Sequence, residues 1–117
     1  MSNTTRQTGR QGENAACDFL VKNGYTITKR NYTAPHGEID IIAENEKYIV
    51  FVEVKYRSSG KMGSPLEAVD YRKRQKIMQT ARHYLAEHHY REDAPVRFDC
   101  VGMTPDHTEW IRNAFMA

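Results

Sequence analysis

A chain of 117 residues, 39% hydrophobic and 27% charged, is sized and composed for one ordinary globular domain, which argues against a disulfide-stapled miniature or a multidomain protein. Its longest dense apolar run, Tyr48 to Val52, is far short of the roughly 20 residues of a membrane-spanning helix, and Met1 to Arg10 lacks the apolar stretch of a signal peptide, so a cytoplasmic protein with no membrane partner is expected. The net charge is only +2, yet residues 55–91 carry nine basic and three acidic side chains, against six and seven in residues 1–54 and two and five in residues 92–117. Such a local basic surface suits a polyanion such as nucleic acid, although a solvated Lys/Arg helix face has the same composition.

Residues 1–8 read as a flexible tail and residues 9–117 as a single mixed α/β domain. From about Gln11 to Asn23 the stripe Glu13, Ala16, Cys17, Leu20 has helical spacing and stops at Gly24. Three strand-like runs follow: Tyr25 to Tyr32, Glu38 to Ala43, and Lys47 to Arg57, the strongest. The short polar link Glu44-Asn45-Glu46 makes the last two an antiparallel hairpin. Ser64-Pro65, with Glu67 completing a capping box, opens a second helix whose apolar face runs Leu66, Val69, Ile77, Ala81, Tyr84, Leu85, with Lys73 filling a gap in the stripe. Pro95 to Met103 reads as a strand, and Glu109 to Phe115 as a short strand or helical turn. Cys17 and Cys100 stand far apart without a CxxC partner, which suggests neither a disulfide framework nor structural zinc.

Chemistry concentrates on the third strand. Alternation puts Glu53 and Lys55 on the face of Ile49 and Phe51, with Tyr48, Val50, Val52, Val54 and Tyr56 on the other. Both faces are apolar up to position 52, so two ionisable residues emerge at the end of a buried element. A buried carboxylate is costly unless it is paired or bound to a cation; a Glu53–Lys55 ion pair is the simple structural answer. A hairpin turn centred on Asn45 and Glu46 sets Ala43 opposite Tyr48, Asp40 opposite Phe51 and Glu38 opposite Glu53. Glu38, Asp40 and Glu53 then converge beside one lysine, a set that needs a hard cation such as Mg²⁺ or Mn²⁺. A bulge or an odd-length loop would separate them.

Glu38-Ile39-Asp40 followed by Glu53-Val54-Lys55 resembles the PD-(D/E)XK nuclease signature. Together with Gly9-Arg10-Gln11-Gly12-Glu13, Gly37-Glu38-Ile39-Asp40 and Phe51-Val52-Glu53-Val54-Lys55 resemble the YraN family of small bacterial proteins, from about Gly9 to the C-terminus. The resemblance implies a restriction-endonuclease-like core related to Holliday junction resolvases, with a mixed sheet flanked by helices. It implies Asp40 and Glu53 as metal ligands, the Val54 carbonyl as a further one, and Lys55 as the residue that orients the attacking water. It also implies Glu13 as a catalytic acid on the first helix and Lys73 as a lysine facing the site or a phosphate. Arg57, Lys61, Arg72, Lys73, Arg74 and Lys76 would bind flanking phosphates, with affinity that falls as salt rises. The expected function is that of a Mg²⁺-dependent endonuclease, structure-directed and favouring DNA over RNA, with a homodimer left open. The rival is a non-catalytic nucleic-acid-binding module of the same fold. The His83, Tyr84, His88, His89, Tyr90 cluster reads as a helix end, and Asp99 as an edge-strand acid or a support to the site.

Overall fold

Apolar on both faces, residues 49–52 fit only a strand covered from two sides. In the computed structural model, which describes residues 2–57 and 64–115, they begin β3 (Ile49–Tyr56), the middle of a five-stranded mixed sheet in the order β1-β2-β3-β4-β5. The other elements are α1 (Ser2–Lys22), β1 (Thr26–Ala34), β2 (Gly37–Glu44), a 3-10 turn at Pro65–Ala68, α2 (Tyr71–Glu87), β4 (Val96–Thr104) and β5 (His107–Phe115). All neighbouring strands are antiparallel except β3 and β4, which run parallel across the α2 connection. This α/β architecture follows the expected order of elements, with the final segment a strand.

Each helix covers one face. Ala16, Cys17 and Leu20 of α1 pack on Ile41, Ala43, Val50, Val52 and Val101. Ile77, Met78, Ala81 and Tyr84 of α2 pack on Ile39, Ile42, Ile49, Phe51 and Phe98. Phe115 stacks on Phe98 at 5.1 Å within the α2 layer, and Trp110 meets Phe19 and Tyr25 edge-on in the α1 layer. Both aromatics are therefore core contacts.

Three expectations need correction. The helix expected from Gln11 starts at Ser2; its first turns are polar and Gly/Thr-containing, without the apolar period that marks a helix in sequence. The helix expected from Ser64 is two pieces. Ser64 caps only the 3-10 turn, its Oγ accepting from Leu66 N–H at 3.3 Å, and α2 begins anew behind Asp70, whose Oδ1 accepts from Lys73 N–H at 2.9 Å. Glu67 of the expected capping box lies outside the described side chains. Finally, Asp99 is on a central strand and fully buried. It accepts from Arg97 Nε and Nη2 at 2.9 and 2.7 Å, Trp110 Nε1 at 2.8 Å and Asn113 N–H at 2.9 Å. It pairs with Val52, on the face opposite Glu53, and serves packing under α1.

Gly12 brings α1 close to β3: a Cβ there would run into Tyr56 Cβ and lie 2.8 Å from its Cγ. Gly12→Ala is expected to destabilise the protein by about 1–3 kcal/mol through overpacking, outweighing the ~0.5–1 kcal/mol helix-propensity gain. Urea unfolding decides the sign, and a stabilised variant would contradict the close approach.

Candidate metal centre

The β2–β3 hairpin sets the site, and its turn differs from the expected one. Asn45 Oδ1 accepts from the N–H groups of Lys47 and Tyr48 at 2.9 and 2.7 Å, and Asn45 N–H donates to the Tyr48 carbonyl. This side-chain-capped turn is centred on Glu46 and Lys47, one residue later than expected, which slides the register by two. The pairs are Glu44 with Ile49, Ala43 with Val50, Ile42 with Phe51 and Ile41 with Val52. One step further sets Asp40 beside Glu53, not Phe51, and moves Glu38 away from Glu53.

At Asp40 the strand turns over. Ile41 and Ala43 pack toward α1, whereas Ile39, only two residues from Ile41, packs toward α2 with Ile42. The neighbouring strand breaks at the same level: Asn31, between the Arg30–Ile41 and Tyr32–Ile39 pairs, has φ +51°, a left-handed conformation that asparagine tolerates better than most residues. The Asp40 carboxylate then does what a strand carbonyl would do, accepting Val54 N–H at 2.9 Å through Oδ2. Glu38 stays with β1, opposite Thr33, and is exposed. Among the described residues no three His, Cys, Asp or Glu side chains form a metal-ligating group, so the three-acid cluster reduces to a pair.

Glu53 is 8% exposed, and its Oε1 has no hydrogen-bond partner. Its Oε2 is 3.7 Å from Lys73 Nζ. The cation beside Glu53 is thus Lys73, in the first turn of α2, and not Lys55. Half-buried Lys55 forms no ion pair among the described residues. The local Glu53–Lys55 pair is therefore absent.

Burial raises the Glu53 carboxyl to about 8, the Asp40 charge pushing it further up and Lys73 pulling it down. Burial also raises Asp40, against the Val54 N–H bond and with the charge of Glu13 adding to it. Two acids competing for one proton is how a buried carboxylate and a half-buried neighbour behave. Glu13 approaches from α1, its Oε1 accepting from Asn31 Nδ2 at 2.9 Å and lying 3.6 Å from Arg30 Nη2. Asn31 escapes a sequence reading because only its backbone conformation and its place opposite Asp40 give it this contact. Across β3, Glu53 pairs with Cys100, whose thiol burial pushes up to about 11. That favours a thiol over the thiolate that zinc requires.

Of the expected phosphate-binding residues, Arg72, Lys73 and Lys76 surround a hollow of about 360 Å³ with Gly37, Glu38 and Asp70. Arg57 is exposed just beyond β3, its N–H bonded to the Met103 carbonyl at 2.9 Å. Lys61 lies outside the described residues. At the C-terminal end of α2, His83 Nε2 lies 3.8 Å and His88 Nε2 3.5 Å from the Glu87 carboxylate.

Residues 12–103, which contain Glu13, Asp40, Glu53, Lys55 and Lys73, match the model of "Uncharacterised protein family UPF0102". The chain belongs to UPF0102. This bears out the YraN resemblance. Similar UPF0102 proteins include one from Fusobacterium nucleatum, 46% identical over 93% of this chain and 91% of the relative. One from Thermodesulfovibrio yellowstonii is 42% identical over 92% and 94%, and one from Nitrosococcus oceani 38% over 96% and 94%. The family match runs from α1 through β4 and stops before β5.

Proposed function

We propose that the protein is a metal-dependent nuclease that hydrolyses phosphodiester bonds in DNA, selecting substrates by structure. The carrying observation is the buried, partnerless Oε1 of Glu53 beside the half-buried carboxylate of Asp40, with one lysine as counter-charge. A carboxylate pair kept at such cost is explained by a dication. Asp40 and Glu53, with the Val54 carbonyl, would hold it. An oxygen set this small suits Mg²⁺ or Mn²⁺, which retain several waters, better than zinc.

When bound, such an ion acidifies a water and neutralises charge on a scissile phosphate. Lys55, without an ion-pair partner among the described residues, orients the attacking water. Glu13 extends the acidic pocket from the α1 side. Lys73 balances Glu53, and Arg72, Lys76 and Arg57 hold neighbouring phosphates without reading bases.

The test is a panel of branched, flapped, single-stranded and duplex DNAs, with RNA counterparts, incubated with Mg²⁺ or Mn²⁺. Metal-dependent cleavage of branched or single-stranded DNA, absent in EDTA, is expected. Binding without cleavage in either metal would instead favour a non-catalytic module, and no binding at all would refute the nucleic-acid reading.

A further inference from the structure

Among the described residues only Val21 and Tyr71 are large apolar side chains left exposed, and Tyr71, at 76%, is the more exposed. It is the first residue of α2, two before Lys73. Helical spacing sends Tyr71, Arg74, Gln75 and Met78 to one flank of α2 and Lys73, Lys76 and Ile77 to the other. The start of α2 therefore divides two hollows. One is the basic hollow against Glu38; the other, about 430 Å³, lies between Tyr71, Gln75, Met78 and the Asn113–Phe115 end of β5.

The second hollow has the chemistry of a base pocket. Tyr71 offers an exposed ring as a wall, Met78 and Phe115 give an apolar floor, and Gln75 and Asn113 bring carboxamides that both donate and accept. Arg74 is fixed above the floor, its Nε donating to the Val69 carbonyl at 2.9 Å and its guanidinium 5.5 Å from the Phe115 ring. An apolar peptide would need no such charge; a polyanion carrying flat aromatic groups meets both the ring and the cations.

We infer that Tyr71 and this cleft hold an unpaired nucleobase of the substrate. The inference rests on the nuclease reading and narrows its substrate to nucleic acid with unstacked nucleotides, because a base paired within a duplex cannot reach the Tyr71 ring. Stacking of this kind tolerates any base.

The test is fluorescence anisotropy in EDTA with a short fluorescein-labelled oligothymidylate and a duplex of the same length. Tyr71→Ala should weaken single-strand binding about fivefold or more and leave duplex binding unchanged, whereas Tyr71→Phe should keep both. A 2-aminopurine placed in the single strand should be quenched by the wild type and Tyr71→Phe but not by Tyr71→Ala. Equal losses on both ligands, or none, would overturn the base pocket and leave the nuclease reading standing. A wild type that binds neither ligand would overturn the base pocket, and the panel with Mg²⁺ or Mn²⁺ decides the nuclease reading separately.

Discussion

Glu53→Gln is expected to abolish divalent-cation binding and, in the same protein without metal, to raise stability at alkaline pH. The two effects have one cause. The native carboxyl of Glu53 holds its proton to about 8, against 4.5 for a free one. Between those pH values the folded state binds more protons than the unfolded state, so stability falls as pH rises through that window and is level above it. Glutamine keeps the shape and removes the buried charge. Metal-free Glu53→Gln should match the wild type near pH 4 and exceed it near pH 9 by on the order of a few kcal/mol, seen as a Tm about 10–20 °C higher. Mg²⁺ or Mn²⁺ should raise the Tm of the wild type at pH 9 and leave the variant unmoved. A residue whose removal stabilises the protein while destroying its ligand site is kept for function. If Glu53→Gln is destabilised at pH 9, the carboxylate is a structural group and the metal reading fails.

Lys55→Ala is expected to separate chemistry from folding and from metal binding. Lys55 shares the face of Glu53, is half-buried and has no ion-pair partner among the described residues, so truncation should change stability by less than about 0.5 kcal/mol and leave calorimetric Mn²⁺ binding intact. Cleavage should fall about 10²–10³-fold, the scale for loss of a group that positions or stabilises the reacting atoms. Single-turnover rates on the preferred DNA check this. A rate within a few-fold of wild type would remove Lys55 from the reacting centre and shift that role toward Lys73.

The faces of the strands were legible in the sequence because side chains alternate with period two: Glu53 and Lys55 lie on the face of Ile49 and Phe51, under α2, as the pattern requires. Register was not legible, because it depends on whether the Asn45 side chain closes the turn a residue later. The two-residue slide kept Asp40 on the face of Glu53 and brought it alongside, while Glu38 went elsewhere. The flip at Asp40 is a property of three strands together, with Asn31 at positive φ on one side and Val54 N–H on the other; no local pattern encodes it. Lys73 stood out as a break in an apolar stripe. Its reason proved different, since the stripe belongs to two elements and Lys73 opens the second behind the Asp70 cap. Asp99 looked like an edge acid because the partner strand β5 carries a weak apolar pattern, and its ring of donors comes from Arg97, Trp110 and Asn113.

The most direct measurement is anomalous diffraction from crystals soaked in Mn²⁺ at pH 8. The account predicts a peak within coordination distance, about 2.0–2.3 Å, of a carboxylate oxygen of both Asp40 and Glu53, and its disappearance in Glu53→Gln. A map with no peak there, with the Glu53 carboxylate turned to Lys55 or Lys73 alone, would contradict it.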